Sequence, residues 1–417
     1  MDNNIEYSED YCDQLGRTLK PSSFDHDLLD KSCGLLPVTT ESERQFQELQ
    51  ESAVTVKTLG IGVDTENKDT DARIIKFDDD FMQALDTLGK YNEVLWRPKA
   101  GQPVCCAWHW IIGKIDREPE YLSNRLVISQ GNVGSCSGHS ATNACQLTKL
   151  SRRAMGVGSK YEAMNRIATW YASKGNSMSG GQVLSYQMEY QCYMGMFPER
   201  LVGNSISTRP DKYKDYRQEA KEFQAYCVAI PWNSIDFVVN VIFLAARAGF
   251  ATQVGNTKWP TSKQAQGKGP ARAVFSSGGG HATMAGADWR PATVNTSNNF
   301  RFSEAIFFVN SHGDKYTANS EKDEPKYGCW LTREDCKTYL QTAKNFGSPI
   351  IYIPEITLLQ QIGSNSTGNP ALNLKDLYKY TCPEPLEMVD SAQMDSSGDV
   401  TQPVSVAVTT NLGDNIK

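Results

Sequence analysis

The residues best suited to chemistry in this chain are a cysteine and a histidine far apart in sequence. Cys136 stands in Gln130-Gly131-Asn132-Val133-Gly134-Ser135-Cys136-Ser137-Gly138-His139-Ser140-Ala141. This is a loop with two glycines, followed by small residues and helix formers that end near Leu147 or Leu150. Ser135 can cap the helix by accepting from an orphan N–H of its first turn. Cys136 then meets the positive end of the helix dipole, where a thiolate is favoured over a thiol. A free thiol titrates near ~8.5, and such a site can bring it below neutrality. Gly138, Ala141 and Ala144 leave the helix thin enough to be packed on several sides. A thiol nucleophile also needs a base, and the base needs a third group to orient it. Of five histidines, His281 sits in Gly278-Gly279-Gly280-His281-Ala282-Thr283, at the start of a strand flanked by small residues. Glycines before it let the backbone approach a neighbour, and alanines after it clear room for a substrate. His139 is a rival three residues after Cys136, on a neighbouring face of the same helix. A rigid helix cannot easily set it across a scissile bond from the sulfur, so its expected role is structural.

Four ordered segments resemble those of the papain-like cysteine peptidases (papain/cathepsin type). Gln130 lies six residues before Cys136, with Gly134-Ser135 just ahead of it. Gly180-Gly181 follows, then Gly280-His281-Ala282, then Asn310-Ser311-His312-Gly313. The resemblance spans about residues 125–345. It implies that Cys136 is the nucleophile, His281 the base and Asn310 the acceptor that fixes the imidazole tautomer. Gln130 would supply a side-chain donor to an oxyanion hole, with the Cys136 N–H as the other. Gly180 and Gly181 would bind an extended substrate in strand fashion. Ser137 stands where the family has Trp, which makes the non-primed wall of the site smaller. The usual disulfide is replaced by Val133 and Met178, an apolar pair suited to a reducing compartment. His312 replaces the tryptophan that shields the His–Asn hydrogen bond. The implied fold is α+β and two-lobed, papain-like, with a helical lobe, an antiparallel β-rich lobe, and N-terminal and C-terminal extensions. The implied activity is thiol-dependent endopeptidase cleavage through an acyl-enzyme, with no metal and no cofactor. The alternatives are another papain-like acyl transferase or amidase, and a non-catalytic assembly or virion-type protein that keeps the core.

The elements that would position these residues follow from pattern. Residues 1–35 are polar and aperiodic, a flexible arm. Residues 36–120 form an N-terminal extension, either a pro-segment or an added subdomain. Within it, Thr40-Glu41-Ser42-Glu43 reads as a capping box for a helix near 41–52, and Asp78-Asp79-Asp80 opens a second through Phe81, Ala84, Leu85 and Leu88. Gly62 to Arg73 reads as loop, and Val94 to Ile115, rich in Trp and Cys, as buried. Residues 121–226 are the helical lobe, with Tyr161, Met164, Ile167, Ala168 and Tyr171 at helix spacing and a further helix from Gln182 to Tyr193. Residues 227–360 are the β-rich lobe: a helix from Val238 to Ala248, a strand from Phe250 to Val254, a long polar loop from Gly255 to Gly280, and strands at His281–Ala287, 302–309 and 350–353. Residues 361–417 are a polar tail whose only strand-like stretch is 404–408.

Composition narrows the partners. The chain has 417 residues, 40% hydrophobic and 22% charged, with net charge -6. That is a globular composition, and with no lysine/arginine-rich run the charge pattern argues against nucleic acid and anionic membrane as partners. No apolar run reaches the eighteen or so residues needed to span a bilayer. The expected partner is a protein or peptide substrate, with docking through the terminal extensions. The start has neither a basic region nor an apolar core, so a cytoplasmic or otherwise intracellular site is expected, with a virion component as the alternative. Eleven cysteines without a CxxC read as buried thiols, Cys105-Cys106 and Cys329…Cys336 among them.

Overall fold

A computed structural model describes residues 34–56, 72–95, 129–130, 133–154, 162–174, 180–203, 213–266, 269–290, 293–295, 300–312, 328–354, 393–394 and 400–402. The arm before residue 34, most of the 62–73 and 94–115 stretches, Cys105-Cys106, Met178 and the 404–408 stretch lie outside them. In chain order the main elements are α1 (Thr40–Glu51), α2 (Asp79–Leu95), α3 (Cys136–Ala154), β1 (Met164–Asn165), α4 (Arg166–Ser173), α5 (Leu184–Tyr193) and β2 (Phe197–Pro198). There follow β3 (Tyr226–Ala229), α6 (Ile235–Arg247), β4 (Ala251–Gln266), β5 (Gly269–Arg290), β6 (Ala305–Val309), β7 (Gly328–Thr332), α7 (Arg333–Leu340) and β8 (Ile350–Ile353).

The fold is mixed, with helices and a six-stranded antiparallel sheet in the order β3-β8-β4-β5-β6-β7. Its central register puts Asn256 opposite His281 and Met284 opposite Val309. Strands β6 and β7 bury every residue, from Ala305 to Val309 and from Gly328 to Thr332. No described helix is long and apolar enough to cross a membrane.

Three local expectations are corrected. The run Gly255 to Gly280 is not a loop but the outer halves of β4 and β5, paired from Lys258↔Ser277 to Gln266↔Gly269. Glycine and polar residues depress strand propensity, yet a partner strand that satisfies every second backbone group outweighs that preference. Register shifts at Asn256/Lys258, Pro260/Ser262 and Gln264/Gln266 let the ribbon pass Pro260 and bend. The first helix is capped one residue earlier than expected: Thr39 accepts from the Ser42 N–H, and the Ser42 hydroxyl oxygen accepts from the Thr39 N–H at 2.8 Å. The Tyr161–Tyr171 periodicity is split, since Met164–Asn165 pairs with Phe197–Pro198 and Asn165 then caps α4 by accepting from Ala168 N–H at 2.6 Å.

The N-terminal stretch is built into the core. Ile75 donates to the Cys227 carbonyl and Cys227 to the Arg73 carbonyl, so residues 73–75 extend the sheet beyond β3. Val54 lies beside Ile75 in turn. Asp78 caps α2 by accepting from Phe81 N–H, and Phe81, Ala84, Leu85 and Leu88 bury the face that meets α6. Phe81, Leu85 and Leu88 each contribute on the order of 1.5–3 kcal/mol by leaving water. In the helical part, buried Arg166 ties α4 to α3 by donating to Asn143 Oδ1 at 2.7 Å, with Glu199 as its ion-pair partner at 3.5 Å.

Candidate active site

Helix α3 begins at Cys136, and its first turns are packed on every side. Cys136, Ser137, Ser140, Ala141 and Ala144 are all buried. Gly138 is required by crowding, because a Cβ there would come within 2.4 Å of Trp170 Cβ on α4. From the sheet, Gln253 on β4 donates to the Ser137 carbonyl at 2.8 Å and to Ser140 Oγ at 2.7 Å. The strand pair β4–β5 is thereby fixed against the start of α3. Ser135 departs from expectation. Its hydroxyl is not on an N–H of the first turn but lies 3.2 Å from His139 Nδ1 and 3.5 Å from the Val133 carbonyl. The imidazole one turn along competes for it.

His281 is fully buried on β5. Its Nε2–H donates to Asn310 Oδ1 at 2.8 Å, just beyond the end of β6. That oxygen also accepts from the Ser311 N–H at 2.8 Å, which fixes the carboxamide. The bond sets the tautomer and leaves Nδ1 unprotonated, buried and without a hydrogen-bond partner among the described residues. Burial, then the His312 charge, push the ring to about 3, against the opposing pull of the Asn310 bond. Such a ring holds a proton only beside an anion.

Two aromatic groups hold it. His312 stacks on its face, with centroids 4.7 Å apart and planes 6° from parallel. Trp259 meets its edge at 4.9 Å. His312, in the position expected to shield the ring, thus shares that role with Trp259 from β4 in contacting His281. Sequence reading missed Trp259, and its only signal was a lone tryptophan inside a polar run.

Gln130 is joined to the same corner. Its N–H donates to the Ser311 carbonyl at 2.8 Å, and the Ser311 hydroxyl donates to its Oε1. Its Nε2 donates one hydrogen to the Val133 carbonyl at 3.0 Å. Ser311, also missed, thus links Gln130 to Asn310. Ser137 is turned inward, donating to Gln182 Oε1 at 3.0 Å.

Gly180 lies against Gly134, where a Cβ would come within 2.8 Å of the Gly180 carbonyl oxygen, and Gly181 lies against Gly34, whose carbonyl a Cβ on Gly181 would meet at 2.7 Å. The Gly180 oxygen accepts from Lys174 Nζ at 2.8 Å. Lys174 also stands 4.3 Å over the Trp170 ring. Burial lowers it to about 7, opposed by the pull of Cys136.

The space beside these glycines is filled by the chain's own residues 34–38. Gly34 O accepts from Gln182 N–H at 3.1 Å, Leu36 N–H donates to Gln182 O at 3.1 Å, and the bridge is parallel. Leu35 N–H donates to the Gly280 carbonyl at 3.2 Å, and Val38 N–H to the Asn345 carbonyl at 3.1 Å. Gly34, at φ +104°, and Gly280 permit this approach, since a Cβ on Gly280 would lie 2.2 Å from Leu35 O. Leu35 is fully buried against Gly255, Leu184 and Phe346. No sequence signal marks this pairing.

Among the described residues, Cys136, Cys145, Cys192, Cys227, Cys329 and Cys336 are buried and in no disulfide, and no acidic, histidine and cysteine cluster could hold a metal ion.

No family model and no curated protein matches the chain. Among solved structures it is similar to xylellain, a cysteine protease from Xylella fastidiosa, at 15% identity over 55% of this chain and 82% of that one, with a TM-score of 0.36. It is also similar to the Carica candamarcensis cysteine protease CMS1MS2, at 12% identity over 55% and 92% of the two chains and a TM-score of 0.34. A third is proCathepsin B S9 from Trypanosoma congolense, at 9% identity over 58% and 76%, TM-score 0.33. At these scores the likenesses decide neither family nor activity.

Proposed function

We propose that the chain is a cysteine peptidase of two-lobed, papain-like organisation. In it Cys136 attacks a peptide carbonyl, His281 is the acid and base, and Asn310 orients the ring. The observation that carries this is the His281–Asn310 hydrogen bond at 2.8 Å. It leaves Nδ1 as the nitrogen for a thiol, on a strand fixed against the helix that Cys136 begins.

A buried imidazole that resists a lone positive charge takes the Cys136 proton only as one half of an ion pair. The thiolate sulfur then bonds to the carbonyl carbon. The oxyanion is stabilised by the Cys136 N–H and by the second Nε2 hydrogen of Gln130. Collapse breaks the C–N bond, and His281 gives its proton to the departing amine. Water, losing a proton to His281, attacks the thioester and restores the thiol. Gly180 and Gly181 contribute backbone to an extended substrate, for which the pairing of residues 34–36 with Gln182 and Gly280 is a precedent within the chain.

That same pairing supports a second reading: as folded, the chain is a latent form, its groove covered by residues 34–38. Incubating the purified chain under reducing conditions with a peptide library tests both. Amide hydrolysis products support a peptidase, whereas transfer products support another acyl transferase. N-terminal sequencing reads whether the cover is removed by the chain itself. Absence of both hydrolysis and transfer products, with the cover cut away by an added protease, would refute the proposal.

A further inference from the structure

His312 does more in this site than close the corner. Its ring lies face to face with His281, 4.7 Å away and within 6° of parallel, beside Trp259 at 6.4 Å. Parallel stacking at that distance leaves no room for a counter-ion between the rings. Two imidazolium ions there would repel each other in a buried, weakly screening setting. The remaining charged neighbours come from α3 and α4: His139 feels the charge of Arg166 and of both other imidazoles, and Lys174, at the end of α4, feels Cys136. Strand β4 presents the neutral Trp259, and the loop after β6 presents the neutral Asn310.

We infer that His312 is a positioning residue that competes with His281 for the single proton of the catalytic pair, so that the acid limit of the site is set by the stacked rings together. The inference rests on the peptidase reading of Cys136 and His281. A proton held by His312 leaves His281 neutral, and the sulfur loses its adjacent counter-charge, so the thiol re-forms at a higher pH. Burial lowers the His312 proton affinity, which keeps it neutral at physiological pH and confines the effect to the acid side.

The test is a titration of the Cys136 thiolate by its ultraviolet absorbance, taken as the difference between the chain and its Cys136→Ser variant. It is repeated in His312→Trp and His312→Gln backgrounds. Because absorbance needs no reagent, residues 34–38 do not interfere. We expect the acid midpoint to fall by about one pH unit in both variants. A midpoint unchanged in His312→Trp and His312→Gln would overturn the inference and leave the peptidase reading standing, with His312 as packing only. If the unsubstituted chain yields no thiolate signal below the ordinary thiol range, both fall together.

Discussion

Two histidines in this molecule look alike by the usual signs and differ in the one that matters. His139 and His281 are both fully buried, and both are pushed to about 3, chiefly by burial. His139 donates from Nδ1 to the carbonyl of Ser135, one turn back on its own helix, at 3.0 Å. His281 donates from Nε2 to Asn310, on another strand. The two rings therefore carry opposite tautomers. His139 is consumed within one element, and its free nitrogen is Nε2. His281 is braced from outside, by Asn310, His312 and Trp259, with Nδ1 left over. Burial and a shifted proton affinity mark neither as functional. The nitrogen left unprotonated, and the rigidity of what holds the other, make the distinction.

The largest expected effect follows from that contrast. His281→Ala should lower turnover at least ~10³-fold, as removal of a paired base does, whereas His139→Gln should stay within a few-fold. Steady-state kinetics on one peptide amide compares them, and equal losses would erase the distinction. Next, Gln130→Ala should cost ~10²–10³-fold in kcat if its second Nε2 hydrogen meets the oxyanion. Ser311→Ala should cost less, because the backbone bond from Gln130 N–H to Ser311 O survives. A rise in KM alone would move Gln130 out of the oxyanion role.

Leu35→Asp should loosen the covering segment, since the burial of one leucine is worth on the order of 1.5–3 kcal/mol. Thiol labelling at Cys136 should then quicken by roughly ten- to a hundredfold. An unchanged rate would mean that residues 34–38 do not limit access.

The smallest effect is on stability. His139 titrates near 6.5 when unfolded and about 3 when folded, so its contribution is complete above pH 6.5 and is lost as pH falls toward 3. His139→Gln should remove about one proton from that dependence, or about 1.4 kcal/mol per pH unit between pH 6 and 4, read by denaturant titration.

The parts of this site that could be read from the chain are those built from adjacent residues. Cys136 opens a helix because a glycine-bearing loop and small residues surround it in sequence. His281 and Asn310 stand at strand positions marked by their own neighbours. What could not be read depends on backbone partners far away. Trp259 reaches His281 only because Asn256 registers opposite it, within a glycine-rich run that local propensity assigns to a loop. The cover formed by Gly34–Leu36 uses main-chain groups of Gln182 and Gly280, which carry no side-chain signature. Even the Ser135 cap failed for a tertiary-like reason at short range, since His139 takes its hydroxyl.

The most direct test is covalent labelling with an epoxide thiol inhibitor at neutral pH, followed by peptide mapping across all eleven cysteines. In the chain opened by Leu35→Asp, we expect stoichiometric modification of Cys136 alone, lost when His281→Ala is added and kept with His139→Gln. Labelling spread over several cysteines, or undiminished at Cys136 in His281→Ala, would contradict an activated Cys136–His281 pair.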